Sequence, residues 1–436
     1  MIARTSTAPT PLRIAMVAAC PFPSLRGSQV LVRELAQALA DRGHKVHLVT
    51  YPHGESVVAI RGIHVHRVRP PRFSAWASGL GWRKLMLDVS LALTLYRVVR
   101  SEGIQVIHAH NYEAPLLSYF VRWLTGVPVV YHSHNALSDE LAYYVAPGWR
   151  RRLARYLGGV LDRHVPRRAD FSIALTPELE GFLLAHGVAA QNLATIPPTM
   201  IPAPLPDAAG GNGDIFAGHF VVMYAGNLDP YQDLQVLSAG FADLCVTVPH
   251  ALLVLVTHET GWQRRIGSRL MQLIETGRAR VIVASTFSVV RRLMARADVL
   301  VCPRSSWSGF PIKVLNYMAS GRAVVAAEGS AKGMIDGDTG LVFRNGDIQA
   351  LADALRRLAR NPALRARLGK RARAAAVGSG GALQRSVGQI EAIYAQVCGL
   401  TEGHGASACG TEEARLQGLI AFSRDRISAA SGTVGN

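Results

Sequence analysis

Short, continuously apolar runs alternate along this chain with longer segments in which apolar residues recur every three or four positions. The runs "RIAMVAAC", "KVHLVTY", "IHVHRV", "QVIHAH", "PVVYHSH" and "FSIALT" read as strands, and residues 29–42, 84–100, 114–124 and 149–166 between them as helices. The pattern then starts again. "FVVMYAGN", "ALLVLVTHE", "RVIVAS", "DVLVCPR" and "AVVAAEG" read as strands, with helices at 233–247, 262–276, 288–296 and 311–320. Strands that are apolar at nearly every position, separated by amphipathic helices, predict parallel β-α-β units covered on both faces. The repetition is architectural, since the two series share no detectable sequence repeat.

Between the series lies "IPPTMIPAPLPDAAGGNGD" (196–214), rich in proline and glycine, which reads as a linker. The 436 residues also exceed the size at which one core keeps growing. The expected organisation is therefore α/β: a Rossmann-like doubly wound domain over 11–200, a linker at 201–214 and a second such domain over 215–380. A terminal helix at 381–400 and a loosely ordered tail at 401–436 follow. Open parallel sheets bind ligands beyond the carboxyl ends of their strands, so two of them joined in this way predict a shared cleft.

Composition narrows the class. Hydrophobic content of 49% suits a globular enzyme and excludes a wholly disordered chain. The net charge of +17 predicts attraction to phosphorylated ligands or anionic lipid. Nucleic acid is a weak explanation, because no basic-aromatic interleaving or known binding module occurs. Five cysteines (Cys20, Cys245, Cys302, Cys398, Cys409) without metal-type spacing suit a reducing compartment. The start of the chain lacks a signal-peptide pattern, and even "LMLDVSLALTLYRVV" is interrupted by Asp88 and Arg97. These features predict a cytoplasmic protein that can touch a membrane without spanning it.

One helix bears on that contact. "GWRRRLARYLGGVLDRHVPRRAD" (148–170) carries seven arginines, among them Arg150, Arg151, Arg152 and Arg155, with Leu153, Leu157, Val160 and Leu161 on the other side. It reads equally as a membrane-surface element and as an ordinary helix with a solvated arginine face. The tryptophan-bearing stretch at 73–99 is a second apolar segment of the same domain.

Candidate chemistry sits at the strand ends. Gly27 and Ser28 open a helix, where free N–H groups favour an anion, although a plain tight turn has the same sequence. GxGxxG is missing, so no dinucleotide fingerprint is present. His110 and His134 stand at two strand tips and are candidates for binding substrate hydroxyls, with His108 and His132 as a buried, hydrogen-bonded pair. Asn111 and Asn135 follow the two tips. A metal held by these H-x-H pairs is not implied, because no acidic or cysteine ligand is placed with them. Asn227 ends the first strand of the second series, and its amide suits a phosphate, a sugar or a turn.

The segment "SWSGFPIKVLNYMASGRAVVA" has the most punctuation. Gly309 and Pro311 open a helix whose first N–H groups, from Gly309 through Phe310 to Ile312, can face an anion, and Gly321 closes it. Lys313, Asn316 and Ser320 share a face, Leu315 and Met318 are expected in the core, and Ser308 is placed to cap the helix. No acidic residue falls between Ser305 and Ala327.

The ordered series "LVRELAQALADRGHKVHLVT", "VIHAH", "PVVYHSH", "AGNLDP", "GFPIKVLNYMASGRAVVA" and "DGDTGLVF" resembles glycosyltransferase family 4, retaining enzymes of the GT-B fold, over about residues 11–400. The resemblance implies an acceptor-binding N-terminal domain, a C-terminal domain for a nucleotide-diphosphate sugar, and a final helix at 381–400 that crosses back. It implies that Gly27, Ser28, Asn227, Gln232, Ser308, Gly309, Phe310, Pro311, Ile312 and Asn316 bind the donor. It also implies that His134 contacts the transferred sugar near the reacting bond; Lys313 is read from its own position as a second catalytic residue, and His110, Asn111 and Asn135, at the strand ends, as facing the acceptor. The family's E-x7-E glutamates fall on Ser308 and Asn316, and its Arg/Lys pair on Asn227 and Gln232, so this is a divergent member. Lys313 then replaces the missing positive charge. The implied activity is metal-independent transfer, without a cofactor, to a glycan or lipid-linked acceptor in envelope synthesis. A catalytically silent GT-B protein is the alternative, and an epimerase is disfavoured because it needs acid and base carboxylates.

Overall fold

The computed structural model describes residues 10–22, 27–52, 62–68, 82–145, 148–198, 216–377 and 382–400. The expected linker at 201–214 and tail at 401–436 lie outside the described residues. The first series holds β1 (Arg13–Ala18), α1 (Gly27–Asp41), β2 (Lys45–Thr50), β3 (Ile63–Arg67), α2 (Trp82–Glu102), β4 (Val106–His110) and α3 (Glu113–Thr125). It continues with β5 (Val129–Ser133), α4 (Leu137–Glu140), α5 (Trp149–His164), β6 (Phe171–Ala174), α6 (Pro177–Ala185) and β7 (Leu193–Thr195). The second holds β8 (Phe220–Ala225), α7 (Leu234–Thr247), β9 (Ala251–Thr257), α8 (Ser268–Glu275), β10 (Ala279–Val283), α9 (Phe287–Met294), β11 (Val299–Cys302) and α10 (Ile312–Ala319). β12 (Ala323–Ala327), β13 (Leu341–Phe343), α11 (Ile348–Arg360), α12 (Pro362–Val377) and α13 (Ala382–Val397) complete it.

Two all-parallel sheets result, in the orders β3-β2-β1-β4-β5-β6-β7 and β10-β9-β8-β11-β12-β13. Both orders reverse once, at β1/β4 and at β8/β11, and these are the switch points where α/β sheets open a crevice. β4, β5, β8, β9, β11 and β12 are buried along their full length, β9 at all seven positions, as expected of sheets covered by helices on both faces.

The structure departs from the expected elements in instructive places. The helix expected over 262–276 is a 3-10 turn at Trp262–Arg264 followed by α8, because Gly267 interrupts the helical run. α4, α6 and β7 were not expected at all. α13 does cross back to the first sheet. Val387, Ile390, Ile393 and Tyr394 are buried in the same core cluster as Ile14, Val46 and Val106. Glu391 accepts from Arg42 at 2.6 and 2.7 Å and pairs with His44 at 2.9 Å, which anchors the helix there.

Candidate active site between the two sheets

Three segments meet where the carboxyl ends of the sheets face each other: the 303–311 loop with α10, the turn after β8, and β4–β5 with α4. The loop is shaped by Gly309, whose φ of 76° is left-handed. A Cβ at this position would lie 2.7 Å from the carbonyl oxygen of His134 and 3.3 Å from Asn135 Cβ, so only glycine lets the loop approach the other lobe this closely. Pro311 is the N-cap of α10 without a side-chain cap, and Ser308 does not cap it. Instead Ser308 is buried, and its hydroxyl donates to Asp139 Oδ2 at 2.6 Å. Ser306 donates to the same oxygen at 2.7 Å. Arg304 donates to the Ser308 carbonyl at 2.5 Å and to Ser306 Oγ at 3.2 Å, with its guanidinium over the Tyr231 ring. Ser305 is tied back to its own lobe, its N–H and hydroxyl both bonding Asp233 Oδ2.

Lys313 points inward from the first turn of α10. Its Nζ donates to Gln232 Oε1 at 2.6 Å and to the Tyr224 hydroxyl at 2.8 Å. Gln232 in turn donates to Asn227 Oδ1 at 2.7 Å, and the Asn227 amide donates to Asp229 and to Tyr231. The residue as a whole is half-buried, but desolvation of its ammonium lowers its pKa from the ordinary lysine value to about 8. Gly226 makes room for it, since a Cβ there would lie 2.6 Å from Lys313 Nζ. Lys313, Gln232 and Asn227, singled out separately in the sequence, therefore form one hydrogen-bonded chain.

On the facing side, His108, His110, His132 and His134 are all buried. His108 bonds His132 at 3.0 Å and Tyr394 at 2.5 Å, and His110 bonds His134 at 3.0 Å. Burial lowers all four pKa values, His134 to about 4 and His108 to about 3, so the rings are neutral at ordinary pH. The expectation that His110 lies open to the cleft is corrected: it is completely covered and supports His134 from behind. Ligand nitrogens of His108, His110 and His132 lie within 4.8 Å of one another, a spacing that could take a metal ion. Glu140, at the end of α4, accepts from the Asn135 amide, and burial raises its pKa to about 7.

The remaining expected residues are placed as follows. Gly27 begins α1, which lies in contact with α10, while the side chain of Ser28 is outside the described residues. Ile312 is buried, Phe310 is half-buried, and the Asn316 amide bonds the Ile312 carbonyl of its own helix. Asn111 has a left-handed φ of 62° directly after β4. Asn135 stands against Gly309, its Cβ 3.3 Å from where a Cβ at 309 would lie. Leu315 is half-buried, and Val314 and Tyr317 occupy the core face beside Met318. Asp139, Glu140 and Arg304 were missed. The acidic pair two turns of chain after His134 was visible in "HNALSDE", but no local pattern says that it reaches the opposite lobe.

α5 lines the outside of this region. Only Gly158 and Asp162 of the helix are buried. Arg150, Arg152 and Arg155 are exposed and Arg151 half-buried, yet Leu157 also exposes 50% of its surface, and Trp149, Leu153, Tyr156 and Val160 are exposed. Leu116, Phe120, Trp123 and Leu124 of α3 add further exposed apolar surface. Among the described residues, no helix is long and apolar enough to cross a membrane.

Comparison with known proteins bears on what such a cleft does. Residues 26–199 match the family described as glycosyl transferase 4-like domain, and residues 219–361 match glycosyl transferases group 1. A phosphatidyl-myo-inositol mannosyltransferase of Mycolicibacterium smegmatis is 25% identical over 363 residues, 81% of this chain and 86% of that protein. Among solved structures, sucrose-phosphate synthase from Thermosynechococcus elongatus superposes with a TM-score of 0.73 at 19% identity, over 89% of this chain and all of that one. Anabaena HepE, in complex with UDP and glucose, superposes with a TM-score of 0.68 at 18% identity, over 88% of this chain and all of that one.

Proposed function

The chain belongs to glycosyltransferase family 4, of the GT-B fold, and on that premise we propose that it transfers a sugar from a nucleoside-diphosphate sugar with retention of configuration. The observation that carries this reading is the desolvated ammonium of Lys313 beneath the glycine loop at the start of α10. The donor diphosphate is held there by Lys313, by the N–H groups of Gly309, Phe310 and Ile312 leading into α10 and by the Asn227–Gln232 amides. Gly27 and Ser28 approach it from α1, and Asn316 serves the ribose hydroxyls. That HepE was captured with UDP supports a nucleotide of this class.

The acceptor hydroxyl attacks the anomeric carbon on the face that the diphosphate leaves. As the carbon–oxygen bond to the diphosphate breaks, its electron pair goes to the leaving oxygen, which takes the acceptor proton. His134 and Asn135 hold the sugar near the reacting bond, and His110 and Asn111 lie behind and beside them. Positioning and charge stabilisation carry the rate, and neither a metal nor a cofactor takes part.

The acceptor is lipid-linked or a glycan, as in envelope polysaccharide or glycolipid synthesis. The mycobacterial relative named for a phosphatidylinositol substrate supports this, as do the apolar side chains that α3 and α5 leave uncovered beside Arg150, Arg151, Arg152 and Arg155. Those features suit a protein held on the cytoplasmic face of an anionic membrane. Incubation with a panel of UDP-, GDP- and ADP-sugars in EDTA, followed by detection of released nucleotide, tests the reading. Donor turnover that survives EDTA is expected. Loss of turnover on chelation removes metal independence, and the absence of both turnover and any thermal shift sinks the donor reading. Binding without turnover favours the second reading, a silent glycan-binding protein, to which the amides at 227 and 232 in place of cations point.

A further inference from the structure

A sugar seated in front of α10 meets a loop with no acidic side chain of its own between Ser305 and Ala327, although hydroxyl groups bind best to a charged acceptor. A carboxylate nevertheless reaches that loop, from the other lobe. Asp139 Oδ2 accepts the hydroxyls of Ser306 and Ser308, the two polar side chains immediately before Gly309. The geometry points to Asp139 as the carboxylate of the donor-sugar subsite, supplied by the N-terminal lobe to a C-terminal loop that lacks one. The inference rests on the sugar-transfer reading above and deepens it.

Position and support both argue for this. A glutamate at 308 would extend two bonds beyond the present Ser308 hydroxyl and end where the Asp139 carboxylate now lies. Two ionised carboxylates cannot share that contact, so an acid at 308 and an acid at 139 are alternatives for one place. Asp139 is also held firmly for so short a helix. The Leu137 and Ser138 N–H groups that open α4 donate to Asp162 at 2.8 and 3.0 Å. Tyr112 bonds both Asp162 and the Asn135 carbonyl. Gly158 of α5 presses on the same turn, where a Cβ would lie 2.6 Å from Ser138 Cα. A carboxylate that enters from one lobe and binds the loop of the other is assembled only when the cleft is closed. The present structure has that closed arrangement, with Lys332 of the C-terminal lobe paired to Glu178 at 2.8 Å. When donor arrives, its sugar hydroxyls replace those of the two serines as partners of Asp139.

Initial-rate kinetics with the fastest donor of the panel test this on the wild type, Asp139→Asn, Asp139→Ser, Ser308→Glu and the pair Asp139→Ser with Ser308→Glu, each checked by thermal melting. Asp139→Asn should raise the donor KM by about tenfold or more while leaving the acceptor KM unchanged. Ser308→Glu alone should impair the enzyme by placing two carboxylates together, and the pair should regain at least about a tenth of wild-type kcat/KM. A folded Asp139→Asn enzyme with wild-type donor KM overturns the proposal, and so does a folded pair no better than Asp139→Ser. If the wild type turns over no donor, the transfer reading fails separately, and calorimetric affinities for UDP-glucose and UDP decide the subsite. The wild type should favour UDP-glucose and Asp139→Asn should lose that preference; no preference in the wild type overturns the assignment.

Discussion

Two helices beside the same cleft, α10 and α5, have similar amphipathic sequences and opposite fates. α10 buries Ile312, Val314, Tyr317 and Met318 in eight residues and turns its lysine inward. α5, twice as long, buries only Gly158 and Asp162 and leaves Leu153 and Leu157 exposed among its arginines. The sheet beneath α10 supplies an apolar partner, whereas α5 touches its own lobe through a glycine contact and a carboxylate. An apolar stripe on a helix therefore signals that the stripe needs cover, not that the protein itself provides it. For α10 the cover is the core. For α5, with its ring of positive charge, the proposed cover is an anionic lipid surface.

The comparison can be broken first by truncation. Met318→Ala should cost about 2–5 kcal/mol of stability by opening a cavity under α10, and Leu157→Ala less than about 0.5 kcal/mol. Denaturant unfolding checks both, and a large loss at Leu157 would mean that α5 is packed after all. Next in size is the charge. Replacing Arg150, Arg151, Arg152 and Arg155 by glutamine should weaken sedimentation with anionic vesicles by about 2–4 kcal/mol, with no change on neutral ones. Unaltered sedimentation would return α5 to an ordinary solvated helix. Smallest is the inward charge of α10. Lys313→Ala should weaken donor binding by about 1–3 kcal/mol. In the wild type the ammonium form binds the diphosphate and the free group titrates near 8, so affinity should hold below that pH and fall above it. Calorimetry across that range should show the decline vanish in Lys313→Ala, and a decline that persists there removes Lys313 as its source.

How far the site was legible follows the same logic. Gly309, Ser308 and Lys313 announce themselves because a turn, a helix start and a lone cation sit within a few residues of one another. The role of Ser308 did not follow, since capping is the commoner use of a serine before a helix and the partner that claims its hydroxyl lies 169 positions away in the chain. His110 was misjudged for a related reason. Alternation put it at a strand tip, but His134 bonds it there and the rings of His108 and His132 stack against it. α4 escaped notice because one turn of helix has no periodicity to detect; Asp162, not its own sequence, holds its first N–H groups.

The sequence by itself determined the two series of strands and helices, because a strand buried on both faces must be apolar almost throughout and a covering helix must be apolar on one side. It also determined where the turns that admit a phosphate fall, since glycine and proline act on their immediate neighbours. Only the tertiary structure decided which charges meet in the cleft. Lys313 with Gln232, Arg304 with Ser308, and Asp139 with the loop of the opposite lobe depend on how two sheets pack, and that packing is set by contacts spread over the whole chain.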